Sequence, residues 1–400
     1  MEHTTAKLRW LATCPKETRD VLVGELAAMG AVGVEPLHRG VMFEADLEMG
    51  YRAHLLLRTA SRIQRLVADV PAGSIAELAE QAKQIDWTKW LRNHRPFAVQ
   101  VILTDRAGQS LGESRVMGAV AEAVRERFAP GSGDTGADES APPGGGGDAS
   151  GGPAYKPEAL PGAVTIVAHL RNGVCTLGLD TAGRALHKRG WRLNGHPAVI
   201  KETLAAAVLL LAGYDGSEPV LDPMCGSGTI IIEAAYIALN KAPLIHRGKD
   251  DFAIEHLAGF DRTLWRKVAD ELRAWKRAEP RQPLFASDIR AEYVELARKG
   301  ALRARVEKHI TFRAGAFEEL EPPADQGLLV TNLPYGQRIG RGELERNYAS
   351  VGRVIRERYA RWRVALLVPA DGPTDALGLR GARQVELMNG ALPVRLVIRD

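Results

Sequence analysis

The sequence contains few cysteines and no long apolar run. Cys14, Cys175 and Cys225 are far apart and form no paired spacing, which argues against a disulfide scaffold and a zinc ribbon. The longest apolar stretch, residues 204–212, is about half of the ~20 residues that a membrane span needs. Residues 1–10 lack the apolar core of a signal peptide. We therefore expect a cytoplasmic protein with no membrane segment and no metal site.

A strong excess of charge of either sign is also absent. Lysine and arginine number 53 against 49 acidic residues, for a net charge of +4. The total permits an anionic partner without requiring one. The basic residues are clustered, because Arg184, Lys188, Arg189 and Arg192 fall within nine residues, and five more arginines lie in residues 353–363. Each cluster fits contact with a phosphate backbone and a solvated helix face about equally well.

Residues 131–153 differ from the rest of the chain in composition. They are rich in glycine and contain four acids, no base and no large apolar side chain. Such a segment buries too little apolar surface to offset the entropy lost on ordering, so we predict a flexible insert. The patterns on its two sides resemble halves of one unit, so the insert need not be a domain boundary.

The order of apolar patterns predicts two different architectures. Residues 1–190 read as α+β with short mixed sheets, with strands at 7–13, 41–43, 98–103, 163–170 and 174–179 and helices at 17–29, 50–61, 75–84 and 114–128. From residue 196 onward strands and helices alternate, which is typical of an α/β doubly wound sheet. Seven strands are predicted there, at 219–221, 284–287, 310–313, 328–331, 364–368, 384–388 and 394–398.

Two details of the second half are specific. The last two strands form a hairpin around residues 389–390, which predicts one antiparallel strand in the sheet. Residues 241–283 interrupt the alternation and are called the insertion below. They contain a predicted amphipathic helix with Leu264, Val268, Leu272 and Trp275 on one face.

A glycine-rich turn follows the first predicted strand of the second half. Residues 222–229 read DPMCGSGT and lead into a predicted helix at 229–239. Glycines allow the backbone to approach a ligand closely, and amides at a helix start bind polar groups. A lone turn of this kind also fits dinucleotide enzymes, but the G-x-G-x-x-G fingerprint and the P-loop lysine are absent.

A second motif, LLVTNLPYGQRIG, occupies residues 328–340. Its strand ends at Asn332 and is followed by Leu333, Pro334 and Tyr335. A carboxamide oxygen and a backbone carbonyl can accept the two hydrogens of a planar amino group while an aromatic ring stacks on it. The alternative is a strand that ends in a proline turn with a packed tyrosine. The motif comes a full strand–helix series after the glycine-rich turn. This position favours the interpretation that it binds a planar amino group.

These two motifs carry a family resemblance. DPMCGSGTIIIEAA and NLPYG resemble motifs I and IV of class I S-adenosylmethionine-dependent methyltransferases that act on exocyclic amino groups. LHKRGWR, HPAVIKETLAAA, IHRGK and the N-terminal LATCPKETRDVLVGELAAMG resemble the THUMP-containing 23S rRNA guanine-N(2) methyltransferases. The similarity covers nearly the whole chain except the glycine-rich insert. It implies a ferredoxin-like domain at 1–60, a THUMP domain at 61–190, and a Rossmann-like seven-stranded methyltransferase domain at 191–400.

The resemblance also implies roles for individual residues. S-adenosylmethionine is the expected cofactor, bound by Asp222, Pro223, Cys225, Gly226, Ser227, Gly228, Thr229, Asp288, Ala316, Phe317 and Asn332. Asp288 is expected to accept hydrogen bonds from the ribose hydroxyls. Ala316 stands where the family often has an aspartate for the adenine amine, so adenine recognition is expected from backbone groups there. Asn332, Pro334 and Tyr335 are the expected catalytic residues.

The expected reaction is methyl transfer to guanine N2, with structured RNA, 23S rRNA in the first place, as the partner. Arg184, Lys188, Arg189 and Arg192 are expected to contact the RNA. A tRNA guanine-N2 or adenine-N6 methyltransferase would share both motifs. A non-catalytic RNA-binding assembly factor is the alternative of another class, and the intact Asp222, Gly226, Gly228 and Asn332 argue against it. Cys225 lies in the cofactor turn, which argues against a role as nucleophile.

Overall fold

The structure is a computed structural model that describes residues 7–93, 95–129, 163–193, 200–248, 251–333 and 341–400. The predicted glycine-rich insert, Pro334 and Tyr335 lie outside the described residues. The described chain forms two seven-stranded sheets with helices packed on them. Within the described ranges, the helices are too short or too polar to cross a membrane.

The first sheet is built from the N-terminal half of the chain. Its strands are β1 (Leu8–Thr13), β2 (Val32–Leu37), β3 (Gly40–Ala45), β4 (Arg62–Pro71), β5 (Phe97–Leu103), β6 (Val164–Arg171) and β7 (Val174–Asp180). The accompanying helices are α1 (Arg19–Ala28), α2 (Leu47–Leu56), α3 (Ile75–Lys83), α4 (Arg106–Leu111) and α5 (Glu113–Arg127). The strand order is β2-β3-β1-β4-β7-β6-β5, and only β5 and β6 are parallel neighbours among these strands.

The prediction of short mixed sheets in this half is wrong, because one sheet is continuous. Strand β4 pairs with β1 along one edge and with β7 along the other, and so joins the two groups of strands. The alternation of apolar and polar residues in β4 is broken by a register shift between Leu66 and Ala68, which hid the strand. Strand β2 is a largely exposed edge strand that contains Pro36, so its periodicity was also weak.

The second sheet has the predicted doubly wound form. Its strands are β8 (Val220–Asp222), β9 (Leu284–Asp288), β10 (Ile310–Ala314), β11 (Leu328–Asn332), β12 (Arg363–Pro369), β13 (Arg383–Asn389) and β14 (Leu392–Arg399). Its helices are α6 (Glu202–Leu211), α7 (Thr229–Ala238), α9 (Ala291–Arg303) and α10 (Arg341–Arg358), and α8 (Arg262–Ala274) lies in the insertion. The order is β10-β9-β8-β11-β12-β14-β13, with β14 antiparallel to both neighbours. This confirms the seven strands and the final hairpin.

The insertion belongs to the second half by sequence but packs on the first. Ala242, Leu244, Phe252, Val268 and Leu272 are buried in the same apolar cluster as the first sheet. The predicted stripe on α8 is therefore correct at Val268 and Leu272, but not at its C-terminal end. Trp275 is 53% exposed. It follows the last residue of α8, and its ring lies beside the Arg52 guanidinium. The insertion thereby connects the two halves.

Candidate functional site

Three polar side chains meet at one edge of the second sheet. Asp222 ends β8, Asp288 ends β9 and Asn332 ends β11. These three strands are parallel neighbours, and the chain reverses direction across the sheet between β8 and β11. Ligands of doubly wound sheets bind at the carboxyl ends of the strands at such a reversal. The two sequence motifs and Asp288 therefore form a single site.

The turn after β8 is attached to the end of β9 by three hydrogen bonds. The backbone amide of Cys225 donates to the carbonyl of Ser287 at 2.8 Å. The amide of Gly226 donates to Oδ2 of Asp288 at 3.0 Å. The hydroxyl of Ser287 donates to the carbonyl of Pro223 at 3.2 Å. The position of the turn is thus set by β9, and Asp288 is part of its support.

Gly228 is required by two independent features of the turn. Its φ is +77°, in the left-handed region where a side chain is disfavoured. A Cβ at this position would also lie 2.8 Å from the Cβ of Ala297 on α9. The glycine therefore allows α7 to start close against α9. Thr229 begins α7, and its hydroxyl lies 3.3 Å from that of Ser227. The first backbone amides of a helix have no partner within the helix and can bind a polar group of a ligand.

Asp222 is buried beneath the turn, with 1% of its surface exposed. The Thr331 hydroxyl donates to its Oδ1 at 2.7 Å. The pKa of the carboxyl group is raised from 3.8 to about 7, mainly by burial; the Thr331 hydrogen bond opposes this effect and the nearby Asp288 adds to it. The carboxyl group is therefore poised to change its charge near neutral pH, when a cationic group approaches.

The buried carboxyl group of Asp222 predicts a pH-dependent stability of the ligand-free protein. Between its ordinary pKa of 3.8 and the folded value of about 7, the folded chain keeps a proton that the unfolded chain has lost. The contribution of the protonated Asp222 carboxyl group to the free energy of unfolding is complete below its ordinary pKa. This contribution is lost as the pH rises through about 7. We expect Asp222→Asn to remove this decline, measured by chemical denaturation between roughly pH 5 and 8. Parallel pH profiles of wild type and variant would contradict the assignment.

The carboxylate of Asp288 accepts two backbone hydrogen bonds and keeps further acceptor capacity. Oδ2 accepts from the amide of Gly226, and Oδ1 accepts from the amide of Arg290 at 3.0 Å. A carboxylate offers about four lone-pair positions. Those not used by the backbone can accept from two adjacent hydroxyl groups. The neighbouring Ile289 is 71% exposed, although an aliphatic side chain of its size is normally buried.

Ile289 is a candidate contact that the sequence reasoning missed. It directly follows the carboxylate at the end of β9, where an apolar surface can pack against a planar ring. An isoleucine directly after the strand-terminal acid was the available signal. Two residues after the end of the next strand, Ala316 has extended backbone and is half-buried. The ring of Phe317 is buried against Tyr359, with ring centres 5.4 Å apart, so only the backbone of Phe317 can face a ligand.

Asn332 lies at the opposite side of Asp222 from Asp288. Its Oδ1 is buried and has no hydrogen-bond partner within the described part of the chain. A buried amide oxygen without a donor is destabilising by roughly 1–3 kcal/mol, so such an atom marks a place where a ligand donor fits. The amide of the next residue, Leu333, is already paired with the carbonyl of Leu367. Pro334 and Tyr335 follow outside the described residues.

The Cys225 thiol does not have the properties of a nucleophile. The residue is 7% exposed, and burial raises the pKa of the thiol well above its ordinary value, with Asp222 and Asp288 adding to this effect. A thiolate is the reactive form of cysteine, and this environment disfavours it. In the portions of the chain that the structure describes, histidine, cysteine and acidic side chains form no group suited to a metal ion.

Three residues of the first basic cluster lie at the surface of a cavity of about 360 Å³. Arg184, Lys188 and Arg192 line it, together with His187 and Lys201. Arg184 is exposed and forms an ion pair with Asp251 at 3.2 Å. Arg192 is half-buried and forms an ion pair with Glu202 at 2.9 Å. These three side chains can reach a ligand in the cavity.

The prediction that Arg189 contacts RNA is wrong. Its side chain and that of Glu233 on α7 are both 0% exposed, and the two form an ion pair at 3.2 Å. The guanidinium also donates to the backbone carbonyls of Leu186 and Arg58. Arg189 therefore connects the N-terminal half to the helix that begins at the glycine-rich turn. The alternation of buried and exposed residues in this irregular segment was not visible in the sequence.

Comparison with known proteins agrees with this geometry. Residues 189–398 match the family model described as the RMKL-like methyltransferase domain. Residues 9–64 match the RlmL ferredoxin-like domain. A protein from Shewanella sp. (strain MR-4), called ribosomal RNA large subunit methyltransferase K/L, is 32% identical over 394 residues, which cover 96% of this chain and 52% of that protein. The chain spans about half the length of the curated relatives it matches.

Solved structures resemble nearly the whole chain. One, of a protein assigned as a methyltransferase and complexed with SAH, is 25% identical with a TM-score of 0.82 and covers 98% of this chain and 97% of its own. Another, from Listeria monocytogenes str. 4b F2365 and predicted to be an N6-adenine-specific DNA methylase, is 25% identical with a TM-score of 0.81 and covers 98% and 96%. The family match over more than half of the residues shows that this chain belongs to the RMKL-like methyltransferase domain family, which confirms the resemblance of its two motifs.

Proposed function

We propose that this protein transfers a methyl group from S-adenosylmethionine to the exocyclic N2 of a guanine in RNA, specifically in 23S rRNA. The observation that carries the proposal is the unsatisfied Oδ1 of Asn332, which lies on the same sheet edge as Asp222, Asp288 and the glycine-rich turn. Membership of a methyltransferase family and the ribosomal RNA methyltransferase named among its relatives support the choice of reaction and substrate.

The described residues fit S-adenosylmethionine. Asp222 and the turn of residues 223–228 would hold its methionine part, because a buried carboxyl group and the amides at the start of α7 suit an amino acid. Asp288 would accept from both ribose hydroxyls, and Ile289 would pack against the adenine face. The backbone of residues 315–317 would meet the adenine edge in place of the aspartate that the family often has there.

The chain's own groups act mainly by positioning. When bound, S-adenosylmethionine supplies a methyl group on a sulfonium, which is already a good leaving group. Oδ1 of Asn332 accepts one hydrogen of the target amine and so orients its lone pair toward the methyl group. Pro334, through its carbonyl, and Tyr335, by stacking, are proposed to hold the other hydrogen and the base. The target base must leave its stack to enter the site, and its extra proton passes to water after transfer.

The N-terminal half is proposed to dock the RNA. We propose the division into a ferredoxin-like domain at 1–60, a THUMP domain at 61–190 and a methyltransferase domain at 191–400. The proposed ferredoxin-like and THUMP domains share one continuous sheet through β4, so these two domains would move as one unit. Arg184, Lys188 and Arg192 would contact phosphate groups, since RNA helices are recognised mostly through shape and backbone.

The proposed substrate is tested directly by incubating the protein with S-adenosylmethionine and either protein-free 23S rRNA or total tRNA. Nucleoside mass spectrometry after digestion should reveal N2-methylguanosine from the 23S rRNA. The structural relative predicted to be an adenine-N6 methylase makes N6-methyladenosine the main alternative product. Detection of N6-methyladenosine alone, or of methylation in tRNA alone, would refute the proposed substrate.

The role of Asp288 predicts a selective loss of cofactor affinity. Asp288→Asn keeps one oxygen for the turn but removes the charge that accepts the ribose hydroxyls. We expect roughly a tenfold to hundredfold weaker binding of S-adenosylmethionine, since hydrogen bonds to charged groups contribute about 1.5–3 kcal/mol each. Calorimetric titration measures this, with the exposed Asp371→Asn as the control of equal charge change. Equal affinity of both variants would show that Asp288 only supports the turn.

A further inference from the structure

A second cavity, of about 220 Å³, lies between the insertion and α2 and is separate from the sheet edge described above. Four arginines are among its lining residues, Arg247, Arg262, Arg266 and Arg273. The last three follow each other on α8 at spacings of four and seven residues, which places them on one helix face. All three are exposed. The face of α8 along the cavity thus carries three cations, and one of them, Arg273, forms an ion pair with Asp270 at 2.7 Å.

Arg247 is the deepest cation of this cavity, and part of its guanidinium is unsatisfied. Nη2 donates to the backbone carbonyls of Arg184 at 3.0 Å and Asp251 at 3.1 Å. The ring of Phe252 lies 4.4 Å from the guanidinium carbon. Nε and Nη1 are buried and lack a hydrogen-bond acceptor throughout the described ranges. Burial lowers the pKa of Arg247 to about 10, so the group remains charged at neutral pH and favours an anion beside it.

The charge of the cavity favours an anion over any other ligand. Among its described lining residues, Glu255 is the single acid against four arginines. The nearby Asp251 forms an ion pair with Arg184. Guanidinium N–H groups donate strong, charge-assisted hydrogen bonds to phosphate oxygens. The volume is below the ~300–1,000 Å³ of pockets for drug-sized ligands, which suits a phosphate with part of a sugar.

The cavity is linked to the basic cavity at Arg184 through the Arg184 residue. The backbone carbonyl of Arg184 accepts a hydrogen bond from Arg247, while the Arg184 side chain lines the cavity of about 360 Å³ with Lys188 and Arg192. A strand that occupies both would place successive phosphates against one cation after another. A small anion would occupy only one of them. This arrangement favours a polymer of phosphates.

We propose that the cavity of Arg247 and α8 binds a backbone phosphate of the RNA substrate and so extends the docking surface onto the insertion. The identity of the polymer rests on the proposed function, whereas the preference for phosphate rests on the cavity itself. The exposed pair Arg262 and Arg266 supplies long-range attraction, and Arg247 supplies the directed donors.

Binding of protein-free 23S rRNA by the variant Arg262→Glu/Arg266→Glu tests this proposal. We expect roughly tenfold weaker binding, and a dependence of log affinity on log salt that is shallower by about one for each phosphate that the variant no longer neutralises. Cofactor affinity and melting temperature should not change. Arg303→Glu/Arg380→Glu is the matched control, because both residues are exposed and outside the two cavities. Its affinity should stay within about twofold, since salt screens charges beyond ~10 Å.

Equal RNA affinities of the two double variants would overturn the proposal. A second variant, Arg247→Lys, keeps the charge but loses the planar donors, and we expect weaker RNA binding with a normal salt slope. Wild-type affinity of Arg247→Lys would refute the directed contact. Polyglutamate that competes with RNA for wild type, but not for Arg262→Glu/Arg266→Glu, would indicate an acidic protein as the occupant instead. Absence of methyl transfer by wild type would refute the proposed function and leave these affinity comparisons valid.

Discussion

Asn332→Ala is expected to lower the single-turnover rate of methyl transfer by roughly 10²-fold or more, as for other hydrogen bonds made best in the transition state. The variant loses the buried Oδ1 that is proposed to accept a hydrogen of the target amine. Binding of S-adenosylmethionine should stay within a few fold, because its proposed contacts are Asp222, Asp288 and the turn. Rapid-quench assays with saturating cofactor and RNA measure the rate.

A structural role of Asn332 makes a different prediction. If the side chain only ends a strand, Asn332→Ala should melt at a lower temperature and transfer methyl groups at the wild-type rate per folded molecule. Asp288→Asn is the informative comparison, since it should weaken cofactor binding first and recover much of its rate at saturating cofactor. A wild-type single-turnover rate of Asn332→Ala would show that the catalytic site is assigned incorrectly.

Arg189→Ala is expected to destabilise the protein by about 3–5 kcal/mol, because removal of one partner of a buried ion pair leaves Glu233 with Arg58 as its remaining nearby cation. Glu233 would keep its buried carboxylate, and the carbonyls of Leu186 and Arg58 would lose a donor. Chemical denaturation of wild type and variant measures the difference. The exposed Arg184→Ala, which breaks a surface pair with Asp251, should change stability by about 1 kcal/mol or less.

The double variant Arg189→Ala/Glu233→Ala separates the ion pair from general packing. Removal of both charges should be less destabilising than the sum of the two single changes, because each single change loses the same Arg189–Glu233 interaction. RNA affinity per folded molecule of Arg189→Ala should equal that of wild type. A variant with normal stability and lowered RNA affinity would instead restore Arg189 as an RNA contact.

Local patterns in the sequence were sufficient for the second half of the fold. Strands β8 to β12 are short, mostly apolar runs that alternate with helical segments, and a parallel sheet buried on both faces needs little else to be recognised. The turn at residues 389–390 added the final hairpin. Strand β4 was missed because a register shift interrupts its alternation, and because its pairing with β1 and β7 is between segments that are distant in the chain. Long-range pairing of this kind leaves only a weak trace in local periodicity.

The residues of the candidate site were predicted from the sequence, whereas their arrangement in space was not. Asp222, Gly226, Gly228, Asp288 and Asn332 were named from motifs, because glycine turns and strand-terminal polar residues are contiguous features of the chain. Their approach to each other at one sheet edge depends on the strand order. The position of Ile289 after the strand-terminal acid was visible in the sequence, but its exposure required the structure, because exposure depends on what packs against a side chain.

The sequence by itself determined the two-part architecture, the family and the chemical groups of the site, since each is encoded in contiguous residues. Only the tertiary structure decided which cations are available to a ligand. Arg184 and Arg189 belong to one basic cluster, yet one is exposed and the other is paired with Glu233 in the interior. Arg247 gains its cavity from α8, because the insertion folds back onto the N-terminal half. Burial and charge pairing arise from contacts between distant segments, and local pattern carries no record of them.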